Sequence, residues 1–84
     1  MDNRRKKILF RSWHRGTKEM DIILGNFADK YIKDLSGAQL DAYENLLEVP
    51  DLDVYNWIIG KEDAPANAPY RDLLQQIIDN KVYE

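Results

Sequence analysis

The chain's one histidine, His14, lies two residues after Ser12, and serine beside histidine is a combination used in nucleophilic catalysis. Residues two apart on a helix point in different directions, so this pair is poorly placed for proton transfer. There is no cysteine and no glycine-rich phosphate loop, so thiol and nucleotide chemistry lack their usual residues. The sequence predicts no catalytic residues and a protein that is not an enzyme.

Charged residues of both signs cluster around this histidine. They are Arg11, Arg15, Lys18 and Glu19. Gly16, in the middle of the cluster, is a poor helix residue and predicts a break. Arg15 and Glu19 could pair at i, i+4 spacing only if the helix continued through this glycine, and an exposed pair adds a few tenths of a kcal/mol. The pattern alone leaves two interpretations open, a helix break with dipole-compatible charges or a functional surface.

Asp51 and Asp53 form an Asp-x-Asp pattern, which also occurs in calcium-binding loops. The glycine and the terminal bidentate glutamate of such loops are missing, so we predict no metal site. Aspartate is a preferred N-cap residue, and we expect one of the two to cap a helix. The same carboxylates are candidates for an exposed binding face.

The charge is distributed asymmetrically. Residues 1–18 carry seven basic residues against one acidic residue, a net charge of +6, whereas residues 19–84 carry five against fourteen, a net charge of −9. A cationic end of this kind steers anionic partners. The alternative function is therefore a small regulatory protein that binds nucleic acid through the basic cluster from Arg4 to Lys7.

A helix-turn-helix DNA-binding protein is not expected. In that arrangement the third helical segment would have to enter the major groove of the DNA. That segment carries Asp41, Glu44 and Glu48 and no lysine or arginine. Phosphate would repel such a helix, so we predict no specific nucleic-acid binding.

Five amphipathic segments are predicted to position these residues. They cover about 3–13, 17–33, 36–49, 52–59 and 69–80. The second is the clearest, with an apolar stripe at helical spacing made by Met20, Ile23, Leu24, Phe27 and Tyr31. Ser36 and Gln39 form a capping-box pattern, and Gly25 permits close approach by another helix.

Each stripe is too narrow to be stable alone, so the helices must share one core. We therefore predict an all-α fold, a small five-helix bundle that forms one domain over residues 1–84, with frayed ends at about 1–3 and 81–84.

No apolar run approaches the roughly 20 residues of a membrane-spanning helix. The lack of cysteine suits a reducing compartment, and no secretory signal is visible at the N-terminus.

Two blocks of the sequence resemble a known family. Arg15-Gly16-Thr17-Lys18-Glu19 matches the Arg-Gly-x-x-Glu motif of the small succinate dehydrogenase flavinylation factors, with Arg11-Ser12 before it and Met20-Asp21-Ile22 after it. The second block, Leu46-Leu47-Glu48 leading to the run from Asp51 to Trp57, is similar to the acidic segment and tryptophan helix of that family. The resemblance covers roughly residues 4–75.

The resemblance implies a five-helix assembly factor, a chaperone that binds the flavoprotein subunit of succinate dehydrogenase, and in bacteria that of fumarate reductase. Such factors promote covalent attachment of FAD to their client. Because nothing in the chain resembles a flavin pocket, no stably held FAD is expected. We further expect a free monomer, located in the bacterial cytoplasm rather than the mitochondrial matrix, because the N-terminus is not extended.

The resemblance also assigns roles to residues. Arg15 and Glu19 would be the contact pair near the FAD site of the client, and Gly16 would let the backbone approach. Replacing either member of the pair by alanine is expected to leave the fold intact and to reduce covalent flavin on the client. The remaining predicted client-binding residues are Arg11, His14 and Lys18 around that pair and Asp51 and Asp53 as a second patch.

Overall fold

The computed structural model describes residues 1–81 and contains five α-helices and one short 3-10 helix. The helices are α1 (Asn3–Trp13), α2 (Lys18–Tyr31), α3 (Gly37–Leu47), α4 (Asp51–Ile58) and α5 (Arg71–Asp79), with the 3-10 helix at Ile32–Asp34. No strand occurs within the described range. The predicted all-α, five-helix architecture is confirmed.

Three helix starts are capped by polar side chains. The Asp2 carboxylate accepts the Arg5 backbone N–H at 2.8 Å and so caps α1, which begins within the stretch 1–3 predicted to fray. Thr17 caps α2. Ser36 and Gln39 form both hydrogen bonds of the predicted capping box at α3. Of the expected C-terminal fraying, residues 82–84 lie outside the described part of the chain.

The start of α4 differs from the prediction that Asp51 or Asp53 caps it. The N-cap is Pro50, and no side chain makes a cap hydrogen bond there. Both aspartates instead lie in the first turn, where their charge is favourable to the helix dipole. The capping prediction is wrong because the carboxylate of Asp51 forms an ion pair with an arginine from a distant part of the chain.

The core is one apolar cluster to which every helix contributes. α1 packs chiefly on α2, and α5 contacts α2, α3 and α4. The side chains predicted from the stripes of α2 are buried except Tyr31, which is half-buried. Fully buried residues include Ile8, Met20, Ile23, Leu24, Tyr43, Leu46, Val54 and Ile77. The α1 and α2 contact fixes the ends of the connection between them.

Gly25 is a point of close contact between α1 and α2, as predicted. A methyl group placed there would lie 2.2 Å from the Trp13 ring. The indole therefore lies directly on the backbone of α2, and its Nε1 donates to Asp29 at 3.2 Å.

Gly25→Ala is expected to destabilise the fold by about 1–2 kcal/mol. Alanine would gain up to about 1 kcal/mol of helix propensity, but the displaced Trp13 ring costs about 1–3 kcal/mol in overpacking. Gly37→Ala is the matched control, since a methyl group at Gly37 meets nothing within 4 Å. Urea unfolding measures the free energy of unfolding of both variants. Equal stability of Gly25→Ala and Gly37→Ala would contradict the close contact between Gly25 and the Trp13 ring.

Candidate functional site

Ser12 and His14 make separate hydrogen bonds and do not form a catalytic pair. Ser12 is buried, donates to the Ile8 carbonyl at 2.8 Å and lies 2.7 Å from the Tyr43 hydroxyl. Burial raises the pKa of Tyr43, so its hydroxyl stays neutral. His14 is exposed, with Nδ1 2.7 Å from the Phe10 carbonyl oxygen. The polar contact of Ser12 with Tyr43, between α1 and α3, is structural.

The connection from His14 to Thr17 separates α1 from α2, as predicted from Gly16. Gly16 has φ of 119°, a backbone conformation that other residues adopt only with strain. The helix is therefore interrupted, and the i, i+4 ion pair that the spacing of Arg15 and Glu19 would allow does not form. Arg15 turns toward α3 and α4 instead.

The Arg15 guanidinium joins this connection to the junction between α3 and α4. Its Nε and Nη2 lie 2.8 and 2.7 Å from Oδ1 of Asp51. Nη1 donates to the Leu47 carbonyl at 2.9 Å and Nη2 to the Val49 carbonyl at 3.1 Å. These carbonyls lie at and just beyond the C-terminus of α3, where backbone acceptors lack helical partners.

Arg15 is consequently an internal residue. The side chains of Arg15 and Asp51 are only 10% and 20% exposed. The expectation that Arg15→Ala leaves the fold intact is not compatible with this arrangement, because the substitution would leave the Asp51 carboxylate and the Val49 carbonyl without a partner. Gly16 lies beside the same pair, since a methyl group there would be 3.4 Å from Oδ2 of Asp51.

Further arginine–carboxylate pairs hold α1 against α3. Arg4 bonds to Asp41 and to Glu44, the latter at 2.9 Å, and Arg11 bonds to Glu48 at 2.8 Å. The acidic face of α3 thus has its counter-charges within the chain.

The basic cluster from Arg4 to Lys7 is also partly used internally. Arg4 is paired with α3, and Arg5 donates to the backbone carbonyls of Ile32 and Leu35 at 3.0 and 2.7 Å. These bonds engage two of the four cations on which the nucleic-acid alternative depends, which weakens that alternative.

The Arg4–Glu44 pair predicts acid sensitivity. The hydrogen bond from Arg4 lowers the pKa of Glu44 below its usual value of 4.5. Because the folded protein binds this proton less readily than the unfolded chain, the stabilisation is present above about pH 4.5 and is lost as the pH falls through the folded pKa.

Glu44→Gln should therefore flatten the fall in Tm between about pH 5 and pH 3. Thermal melts across that range, with Glu62→Gln as an exposed control, measure the effect. Identical acid profiles for the wild type and Glu44→Gln would contradict it.

A groove separates the start of α2 from α4 and forms the candidate site. It has a volume of about 330 Å³ and is lined by Thr17, Glu19, Met20, Asp51, Leu52 and Tyr55. Glu19 is exposed, and its side chain makes no hydrogen bond or ion pair with any residue in the range 1–81. Leu52 is 70% exposed. The groove therefore offers one free carboxylate beside an apolar surface.

The structure brings some of the predicted contact residues together and separates others. Glu19 and Asp51 meet at the groove, with Gly16 next to Asp51. Asp53 and Lys18 are exposed on the first turns of α4 and α2. Arg11 and His14 lie at the end of α1, outside the groove lining.

Sequence reasoning missed Leu52 and Tyr55 in the groove, and the exposed Phe10 on a different face of the molecule. Leu52 lies off the apolar stripe of its helix, between two aspartates, and this break in periodicity is the signal that could have marked it as a surface residue. Phe10 also lies on the face of α1 away from the core residue Ile8, and it is 63% exposed.

Curated relatives from eukaryotes and bacteria match the chain. A mitochondrial succinate dehydrogenase assembly factor 2 of Dictyostelium discoideum is 46% identical over 61 residues, 73% of this chain and 43% of the relative. One from Debaryomyces hansenii is 33% identical over 90 residues, 100% of this chain and 63% of the relative. The FAD assembly factor SdhE of Acetobacter pasteurianus is 32% identical over 79 residues, 94% and 72% of the two chains.

These matches correct the expected location. The chain spans between 42% and 63% of the length of four relatives, all named as mitochondrial proteins. A bacterial relative also matches. The prediction of a bacterial cytoplasmic protein is therefore wrong in favouring that location, because three of these four mitochondrial relatives, at 33–46% identity, are more similar to the chain than the bacterial relative at 32%. Among residues 1–81, no helix is long and apolar enough to cross a membrane.

The match to a protein family extends well beyond the two sequence blocks that first indicated it. The sequence model described as flavinator of succinate dehydrogenase matches residues 6–81, which include all of the groove and the Arg15–Asp51 pair. With the relatives above, this coverage confirms the resemblance seen in the two blocks. The chain belongs to the family of succinate dehydrogenase flavinators.

Proposed function

We propose that this chain is an assembly factor that binds the flavoprotein subunit of succinate dehydrogenase and promotes covalent attachment of FAD to it. The observation that supports this proposal most directly is the free Glu19 carboxylate at an open groove. The family to which the chain belongs is described as the flavinator of succinate dehydrogenase. The flavoprotein subunit of fumarate reductase is a second proposed client.

The groove suits a protein segment that presents a cation or a hydrogen-bond donor beside an apolar side chain. Glu19 would accept from the donor, and the exposed Leu52 with the neighbouring Tyr55 would cover the apolar group. Interfaces of this kind combine an apolar centre with polar contacts at the rim. Arg15, which does not line the groove, would hold Asp51 in place at its wall.

The proposed role requires no catalytic group in this chain. A helper that binds one client conformation more tightly than another shifts the client toward that conformation by its differential affinity. Bond formation to the flavin would then take place within the client. We propose that the chain acts without enzymatic activity of its own, holds no FAD stably, and is a monomer when free.

The test uses cells that lack this protein but produce the flavoprotein subunit. Covalent flavin on that subunit, seen by in-gel fluorescence, should be low and should return when the wild-type chain is supplied. Equal fluorescence with and without the chain would overturn the proposed function. Size-exclusion chromatography of the chain with free FAD should show separate protein and flavin peaks.

A further inference from the structure

The outward face of α1 carries a second surface, separate from the groove at Glu19. It consists of exposed residues spaced three and four apart along the helix and is named the α1 stripe: Asn3, Lys6, Lys7, Phe10 and His14. With Arg11, the first four line a shallow groove of about 400 Å³. Residues at this spacing form one continuous helical face.

Phe10 at the centre of the stripe is exposed but held in one orientation. Its side chain is 63% exposed, and its ring stacks on His14 with the centroids 4.0 Å apart and the planes 20° apart. The hydrogen bond between His14 Nδ1 and the Phe10 carbonyl oxygen fixes the histidine ring. A ring ordered before binding loses little conformational entropy on docking, which favours its use as an interface anchor.

The charge around this ring comes from the lysines of α1. The arginines of the helix are engaged by carboxylates or carbonyls of the chain itself. The side-chain ammonium groups of Lys6 and Lys7, by contrast, make no hydrogen bond or ion pair with the described residues, and both side chains are exposed. The α1 stripe therefore presents an aromatic anchor next to two free cations.

We propose that the α1 stripe is a second docking surface for the flavoprotein subunit, and that it contacts an acidic face with an apolar recess for the Phe10 ring. This inference rests on the proposed function. Charge complementarity selects the acidic partner, because two free cations flank the anchor. The stripe and the Glu19 groove would then bind opposite charges, and the pair would fix the orientation of the client.

Two other anionic partners fit the stripe less well. Electrostatic docking on an anionic membrane uses clusters of about 4–8 lysines and arginines, and the stripe has two free lysines. Nucleic-acid binding depends on many phosphate contacts. The stripe offers few such contacts, because only two lysines are free and the arginines of α1 are engaged within the chain.

The test measures the affinity of the full chain for the purified flavoprotein subunit at low and moderate salt. Phe10→Ala should weaken binding by about tenfold. Lys6→Glu with Lys7→Glu should slow association and abolish most of its salt dependence. The controls are Ile59→Ala, an exposed apolar residue at the end of α4, and Lys61→Glu, and both should bind like the wild type.

The outcomes separate this inference from the proposed function. If the wild type binds the flavoprotein subunit and both Phe10→Ala and the lysine variant bind it equally well, the proposed role of the α1 stripe is overturned and the proposed function is not. Absence of wild-type binding would overturn both. A third outcome concerns vesicles that contain phosphatidylserine. If the wild type binds them and Phe10→Ala does not, while both bind the client with the same affinity, the partner of the stripe is a membrane and the inference is overturned. Unchanged Tm in each variant shows that the fold is retained.

Discussion

Arg15→Ala is expected to lower the free energy of unfolding by about 3 kcal/mol, because the guanidinium it removes is mostly buried. The substitution removes three side-chain hydrogen bonds and the ion-pair contact between Nη2 and Oδ1 of Asp51. It leaves the Asp51 carboxylate and the Val49 carbonyl without their partner, and the Leu47 carbonyl with only a long hydrogen bond from Arg11 at 3.5 Å. Breaking a mostly buried ion pair typically costs about 3–5 kcal/mol, and the partial exposure of Asp51 places this case near the lower limit. For a domain of this size, Tm should fall by more than about 10 °C.

Urea and thermal unfolding measure this effect, with Arg71→Ala as the matched control. Arg71 is exposed and donates to the Ala64 carbonyl at 2.8 Å, so its loss should cost less than about 1 kcal/mol. Arg15→Lys should lie between the two, because lysine keeps the charge but lacks the planar fork. If Arg15→Ala were as stable as Arg71→Ala, the internal role of Arg15 would be excluded.

The helices and their buried faces could be predicted because they depend on local periodicity. The stripe from Met20 to Phe27 and the capping box at Ser36 each involve residues within a few positions of one another. Gly16 predicted the break between α1 and α2 for the same reason. Such features are specified by spacing along one helix.

The partner of Arg15 could not be predicted in this way. Asp51 lies 36 positions further along the chain, and the i, i+4 spacing pointed to Glu19 instead. Only the packing of α1 against α3 places the guanidinium at the end of α3, and that packing depends on the whole core. For the same reason, the role expected of Asp51 as a helix cap was wrong, because the carboxylate is directed to a distant residue.

The motif Arg15-Gly16-x-x-Glu19 therefore divides into parts with different physical roles. Arg15 fixes the connection to the α3–α4 junction, and Gly16 supplies the positive φ and the space beside Asp51. Glu19 alone is directed to solvent without a partner among the described residues. We therefore propose Glu19 as the contact residue of the motif, with Arg15 and Gly16 as the residues that position it.

Glu19→Ala is accordingly expected to reduce covalent flavin on the client while leaving the fold intact. The loss of a first-turn carboxylate costs at most about 1 kcal/mol of dipole interaction. The loss of its bond to a donor on the client should weaken binding by about tenfold. Glu62→Ala, at an exposed glutamate in the loop before α5, should change neither quantity.

Comparing the two motif variants distinguishes a contact from a positioning role. Arg15→Lys acts through stability, so flavinylation should recover in cells grown at lower temperature, where a larger fraction is folded. Glu19→Ala removes the contact itself, so flavinylation should stay low at both temperatures although the chain is folded. In-gel flavin fluorescence of the client at two growth temperatures measures this difference. Full flavinylation with Glu19→Ala would remove Glu19 from the site, and recovery of both variants on cooling would assign Glu19 a structural role like that of Arg15.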